Sequence, residues 1–357
     1  MKKLTHPEID KLFAINSMSF RKDFHSVYKN HFTPKYIVQF PVLLPFHIPF
    51  KNGTCVTLVA REKNACTYHF SSVTTNHHVS MGVVTPTPLE VPVHVTRVEM
   101  AFVTAKKVKK NEKLLSDIFD VLLEGLNFVL SAYLIQTKDA DVYRISKEMI
   151  QFASMYRVIP IQRWRKSVHG LFLLHLNVPY PRSILSKEII EKIIWYANVI
   201  SQQWNPFMLS EEFALGARRN MKDGLYKESV LYAQMSIETF LRALFIQLLL
   251  SEGKTLMEAE SIIENTPFMH VIKREFNFRL GGKWDTQNVK SRLGRWYKYA
   301  YKIRNRIVHA GYEPNYGETR TALSAAGNFR KYVVTLIRKN KKKYSDLQKF
   351  FITNDHN

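Results

Sequence analysis

The chain has 357 residues, with 52 Lys plus Arg against 30 Asp plus Glu, a formal charge of +22 and a pI near 9.8. Hydrophobic residues make up 46% and aromatics 13%, which excludes a disordered or low-complexity chain, and 13 Gly with 14 Pro exclude a collagen-like one. At roughly 150 residues per domain the length suggests about two domains, and the charge points to a polyanion, nucleic acid first and an anionic membrane surface second.

Residues 1–200 and 201–357 each hold 26 basic and 15 acidic groups, so the shorter second part is denser in positive charge. Two cysteines, Cys55 and Cys66, cannot build a disulfide scaffold and fit a reducing compartment. The opening MKKLTHPEIDKLF has no apolar stretch before Pro7 and Asp10, unlike a signal peptide. The most apolar stretch, Leu114 to Ile135, contains Asp117, Asp120, Glu124 and Asn127, whose burial in lipid is costly. The expectation is a cytoplasmic protein without a membrane span.

Residues 1–35 show a weak helical spacing at Ile9, Leu12, Phe13 and Phe20. From about 36 to 108 the composition shifts to Val, Thr, Pro and Phe. The runs 36–46, 54–60 and 65–70 read as strands, as does 91–102. In that last run Val91, Val93 and Val95 share one face while Val98, Met100 and Phe102 take the opposite phase, which predicts a bulge or a bend between two sheet faces. A helix buried nearly all round is predicted over 112–136, a second helix over 139–154, a strand over 169–177 and a helix over 186–200 capped by Ser186.

Strand signals almost vanish after about 209. Helices are predicted over 211–224, 226–253, 255–265, 286–310 and 317–339, with 273–285 irregular around Gly281 and Gly282. The fold class is therefore an α+β N-terminal domain, 1–205, plus an all-α C-terminal bundle, 206–343, and a tail, 344–357. The joint falls at QQWNPFMLS, where Pro206 interrupts two helices.

The segment 302–314, KIRNRIVHAGYEP, places Arg304, Asn305 and His309 on the last turns of a predicted helix. Asn305 and His309 are four apart and share a face, with Arg304 to one side. An imidazole moves protons near neutral pH, and a guanidinium stabilises the extra charge of a phosphorane, so the group suits a phosphodiester. Between 273 and 306 eleven basic residues face only Glu275 and Asp285. Trp284, Trp296, Tyr297, Tyr299 and Tyr301 are interleaved with them, a composition that holds single-stranded RNA by phosphate neutralisation and base stacking. Arg292, Arg295, Lys298, Lys302 and Arg306 are the candidate RNA contacts, and Trp296 and Ala300 are expected in the core.

The Arg304-Asn305…His309 run resembles the Arg-(four to six residues)-His motif of the HEPN (higher eukaryotes and prokaryotes nucleotide-binding) family, including the polar residue directly after the Arg. The resemblance covers about residues 209–340. It implies a helical bundle that dimerises so that two motifs form one cleft. It also implies, as in many members, a metal-independent ribonuclease of toxin–antitoxin, abortive-infection or CRISPR-type defence, with RNA as substrate. By the same resemblance Arg304, Asn305 and His309 are catalytic. Glu238 and Arg242, four apart on the long helix, match a supporting acidic/basic pair. From the residues alone that pair is equally an ordinary intrahelical ion pair. The alternative reading is a HEPN-fold dimer that binds RNA or a protein partner without cleaving. That the N-terminal domain senses a trigger protein or positions the substrate, and that an antitoxin partner exists, follows from the resemblance only.

Two further patterns are set aside. Arg163 and His169 fit the same loose spacing, but the segment between them has no amphipathic helical face, so they are expected to be non-catalytic. Among His47, Cys55, Cys66, His69, His77, His78 and His94, only Cys66-x-x-His69 has ligand spacing. No second pair accompanies it, so no metal is expected. No Gly-rich phosphate loop, G-x-S-x-G nucleophile or paired-carboxylate motif occurs, and no cofactor is expected.

Overall fold

The computed structural model describes residues 13–15, 35–59, 65–79, 89–108, 112–161, 167–177, 184–202 and 205–351. The helix expected within 1–35, apart from 13–15, lies outside them, as do Arg163 and the last residues of the tail. Two compact units divide between Pro179 and Tyr180, upstream of the joint read near 205.

In the first unit β1 (Tyr36–Leu43), β2 (Thr54–Val59), β3 (Ala65–Val79), β4 (Leu89–Thr104), β5 (Ala153–Pro160) and β6 (Val168–Leu173) form one antiparallel sheet in the order β2-β3-β4-β1-β5-β6. Val38, Phe40 and Val42 alternate to one face with Tyr68, Phe70, Met100 and Phe102, and meet α1 (Glu112–Thr137) there. Ile37, Ala101, Val103 and Ile159 point to the other face, against Ile15. Pairing of β1 with β5 ends at Gln39↔Arg157. Two residues on, Pro41 has no N–H to give, and its carbonyl accepts instead from Ser154 Oγ (2.6 Å) and Gln151 Nε2 (3.0 Å).

Three expectations are corrected here. No bulge interrupts β4: its register with β3 runs unbroken from Cys66↔Phe102 to Val79↔Leu89. Along the outer half Val91 and Val93 are half-buried and Val95 is buried, while in the inner half Val98, Met100 and Phe102 pack in the cluster that α1 covers. Nor is α1 buried all round. It buries Leu115, Ile118, Phe119, Leu122, Leu126 and Leu130 on the sheet but exposes Val121, Phe128 and Ile135. The helix expected over 139–154 is a loop with a short 3₁₀ turn (Lys147–Met149) followed by β5. Asn127 on α1 holds that loop by bonding both Ile145 N and Ile145 O at 2.8 Å, an amide standing in for a strand neighbour.

The second unit contains α2 (Lys187–Gln202), α3 (Met208–Lys222), α4 (Tyr226–Ser251), α5 (Leu256–Asn265), α6 (268–280), α7 (292–310) and α8 (Tyr316–Lys339). Helix α4 is central. Its Val230, Ile237, Phe240, Leu241, Leu244 and Leu248 are buried, and α3, α7 and α8 pack against it. Arg330 on α8 is half-buried and ion-paired to Glu211 of α3 at 2.6 Å, with its guanidinium 4.8 Å from the Phe240 ring. Two of the sequence limits move. The segment read as irregular from 273 is helical to Leu280, and the helix read from 286 starts at Arg292, capped by Ser291 Oγ on Gly294 N (2.9 Å).

Helices α1 and α4 are long and apolar enough to cross a membrane by length and composition, yet each packs its apolar face within its own unit.

Candidate nucleic-acid interface

Helix α7 carries the Arg304 cluster, and its local chemistry fixes where that cluster points. Between Tyr297 and Tyr301 the helix makes a π turn, in which Lys302 N–H reaches Tyr297 O. Such turns insert an extra residue and recur at functional sites. Trp296, Ala300, Ile303 and Ile307 face the core on either side of it. At 100° per residue, Lys302, Asn305 and His309 then lie near the outer pole of the last turns, with Arg304 and Arg306 on opposite flanks.

Gly311 stops the helix in the left-handed conformation (φ 61, ψ 30), with the N–H groups of Gly311 and Tyr312 both reaching Arg306 O. The loop beyond is held at several points. Arg306 lies 3.5 Å from the Tyr312 ring centre, and Tyr312 Oη donates to Glu318 Oε1 at 2.6 Å. Glu313 pairs with Lys227 at 3.1 Å, Pro314 is buried, and Asn315 with Glu318 forms the capping box of α8. His309 is thus a solvent-facing imidazole on a backbone held from both sides. Arg304 is half-buried, and its Nη1 donates to Asn305 Oδ1 at 3.1 Å.

Glu238 and Arg242 do not pair with each other. Glu238 accepts from the buried Gln234 Nε2 at 3.0 Å, and Arg242 lies over the Phe268 ring at 5.9 Å. Among the described residues no hydrogen bond or ion pair joins either of them to Arg304 or His309.

The basic strip is exposed, and its cations rest on tyrosines. Arg295 and Lys298 approach Tyr299 (5.9 and 5.1 Å), Lys302 approaches Tyr297 (5.4 Å), and Arg292 approaches Tyr332 (6.0 Å). Tyr297 and Tyr301 stack at 5.3 Å. Trp284 and Trp296 belong to the core instead, stacked on Phe276 and Phe329. Two anchors of the loop, Tyr312 and Glu318, were not singled out from the sequence. The N-x-x-E spacing of Asn315 and Glu318 is the signal that marks them.

Among the described residues of the first unit, the other candidates read from the sequence do not form a centre. His169 lies in β6, paired with Arg157. Cys66 and His69 are three apart on β3 and therefore point to opposite faces of the sheet, so they cannot share an ion. Burial pushes the Cys66 thiol up to about 11, against ready thiolate formation. Among the described residues no three His, Cys, Asp or Glu side chains gather into a group able to hold a metal ion. Comparison of the chain with protein families, with curated proteins and with solved structures gives no match.

Proposed function

We propose that the helical unit is a HEPN-like endoribonuclease that needs no metal and acts through Arg304, Asn305 and His309. The observation that carries the reading is the placement of these three polar groups. They sit at a rigidly capped helix end, one of them a solvent-facing imidazole, beside a strip of exposed cations. In the proposed reaction the ribose 2′-oxygen attacks the phosphorus and the bond to the 5′-oxygen breaks, leaving a 2′,3′-cyclic phosphate and a 5′-hydroxyl. His309 takes the 2′-proton or delivers one to the leaving oxygen. Arg304 stabilises the charge of the phosphorane, and Asn305 holds the Arg304 fork while presenting its amide to the phosphate. Arg292, Arg295, Lys298, Lys302 and Arg306 would neutralise the flanking phosphates. The proposed setting is a cytoplasmic toxin or antiviral effector whose first unit receives a trigger protein or antitoxin.

The test is RNA cleavage by the full chain in EDTA, with cyclic-phosphate ends scored on the products. His309→Ala and Arg304→Ala should each lower the rate by at least about a hundredfold, the usual scale for losing an acid–base or charge-stabilising group. Helical circular dichroism should be unchanged, because neither side chain is in the core. Wild-type rates in both variants would overturn the assignment. A second reading, an RNA-binding dimer without cleavage, is favoured by the Arg304–Asn305 bond, which turns Arg304 toward Asn305 within one chain. RNA binding with no cleavage in the wild type would select it.

A further inference from the structure

A cleft of about 660 Å3 opens on the helical unit away from the Arg304 cluster, lined by Lys273, Arg274, Asn277, Phe278, Asp285 and Gln287 among others. This volume lies within the usual range of ligand pockets, about 300–1,000 Å3. We propose that this cleft binds one unpaired nucleotide, with the base stacked on Phe278 and the phosphates held by Lys273 and Arg274.

Helix α6 builds one wall. Lys273, Arg274, Asn277 and Phe278 follow an i, i+1, i+4, i+5 pattern and share a face. The α6 backbone between Val271 and Glu275 is a π turn, which sets that face relative to the core residues Ile272 and Phe276. The other wall is the return from Gly281 to Ser291, and it is preformed. Gly281 and Gly282 take φ 65 and φ 96. Trp284 Nε1 bonds Gly281 O at 2.7 Å while its ring stacks on Phe276. Lys283 N is held by Tyr332 Oη at 2.8 Å, and Gln287 N by Asp285 Oδ1 at 2.8 Å.

Charge and exposure select the occupant. Lys273 and Arg274 are exposed, and neither has a carboxylate partner among the described residues. The two acids in the wall are engaged: Glu275 with Arg279 and His270, and Asp285 with Gln287 N. Phe278 is 82% exposed, more than any other large aromatic side chain among the described residues. A solvent-facing phenyl ring beside two unpaired cations and two free amides, Asn277 and Gln287, matches the parts of a nucleotide. The ring takes the base face, the cations take phosphate, and the amides reach the base edge. The same chemistry is offered by a free mononucleotide and by an unpaired stretch of RNA, and the +22 charge of the chain favours the strand.

The inference does not need Arg304 or His309 to cleave anything, and its test is a binding measurement. A labelled single-stranded RNA with 2′-O-methyl riboses, which lacks the nucleophile for cleavage, is titrated with the full chain and read by fluorescence anisotropy. Phe278→Ala should weaken binding about tenfold or more, and Lys273→Glu should weaken it and flatten its salt dependence. Lys138→Glu, an equal charge change on the first unit, should change binding far less than Lys273→Glu. Competition by adenosine or uridine monophosphate at millimolar level would identify a free nucleotide as the occupant. Failure to compete, with tight strand binding sensitive to Phe278, would identify RNA. Unchanged affinity in Phe278→Ala, or equal losses in Lys273→Glu and Lys138→Glu, would overturn the site. Because the 2′-O-methyl strand cannot be cleaved, loss of cleavage and loss of this cleft are told apart.

Discussion

Gly125 lies where α1 passes over Tyr68, and a side chain there has no room. A Cβ on Gly125 would come within 2.0 Å of Tyr68 Oη and 3.1 Å of its Cζ, and the Tyr68 ring is fully buried with Oη donating to Leu122 O. Gly125→Ala should therefore destabilise the first unit by about 1–3 kcal/mol, the usual scale of overpacking. Tyr68→Phe in the same chain should recover part of the loss by removing the oxygen, as read in urea unfolding. No recovery would place the strain elsewhere. Glu99 is the other residue of note. It is almost fully buried, accepts from Ala14 N, Ile15 N and Gln39 Nε2, and has Arg97 at 4.0 Å. Burial raises its carboxyl above the ordinary range, against the lowering by the Ala14 and Ile15 N–H groups and by Arg97 and Arg157. The folded chain then keeps the proton where the unfolded chain has lost it. The contribution is full below the free Glu value of about 4.3 and is lost as pH rises through the native value. Glu99→Gln removes that slope. Its Tm should gain on the wild type as pH rises above the free Glu value, and a constant difference would show that Glu99 does not titrate there.

At the scale of elements, local chemistry was readable where it was self-sufficient. The β-branched runs of β1 to β4 and the Gly311 stop follow from their own few residues. Elements set by distant partners were not. Val142, Ile145, Met149 and Ile150 have helical spacing, yet pairing of β5 with β1 and the Asn127 amide take that segment away from a helix. The π turns at Val271–Glu275 and Tyr297–Tyr301 carry no period that a 3.6-residue reading detects. For the candidate site, the positions of Arg304, Asn305 and His309 on the helix end were legible. The tie of Arg304 to Asn305 and the stacking of the cations on tyrosines were not, because they depend on rotamers. Gly294 makes the same distinction testable. It sits in the first turn of α7, where a Cβ would meet Asn288 O at 2.1 Å and Asn288 C at 2.6 Å, both backbone atoms. Gly294→Ala must displace the 285–291 loop. It should raise hydrogen exchange at Ser291, Gly294 and Arg295 while leaving Gly311 and Tyr312 protected. Exchange unchanged at all these amides would show that the loop yields without cost.

On the scale of the whole molecule, the proposed chemistry asks for more than one chain supplies. Arg304 and His309 are five residues apart on regular α-helix, about 140° around the axis, and Arg304 is bonded to Asn305 on its own helix. Val308, on the same outer side, is 51% exposed, and Tyr316 at the start of α8 is exposed as well. Apolar groups beside a polar cluster are what a two-fold contact would cover, and an isologous contact repeats each group on both sides. The full chain is accordingly expected to be a dimer by light scattering at assay concentration, with Arg304 of each protomer meeting His309 of its partner. Val308→Glu should place two carboxylates against each other on the axis, shift the population to monomer and lower cleavage in proportion. Mixing inactive Arg304→Ala and His309→Ala chains should restore activity. Each mixed dimer keeps one chain's Arg and the other's His, which is one complete composite site. A mixture that stays silent although mixed dimers form, or a monomer that cleaves at the wild-type rate, would show that one chain carries the whole site.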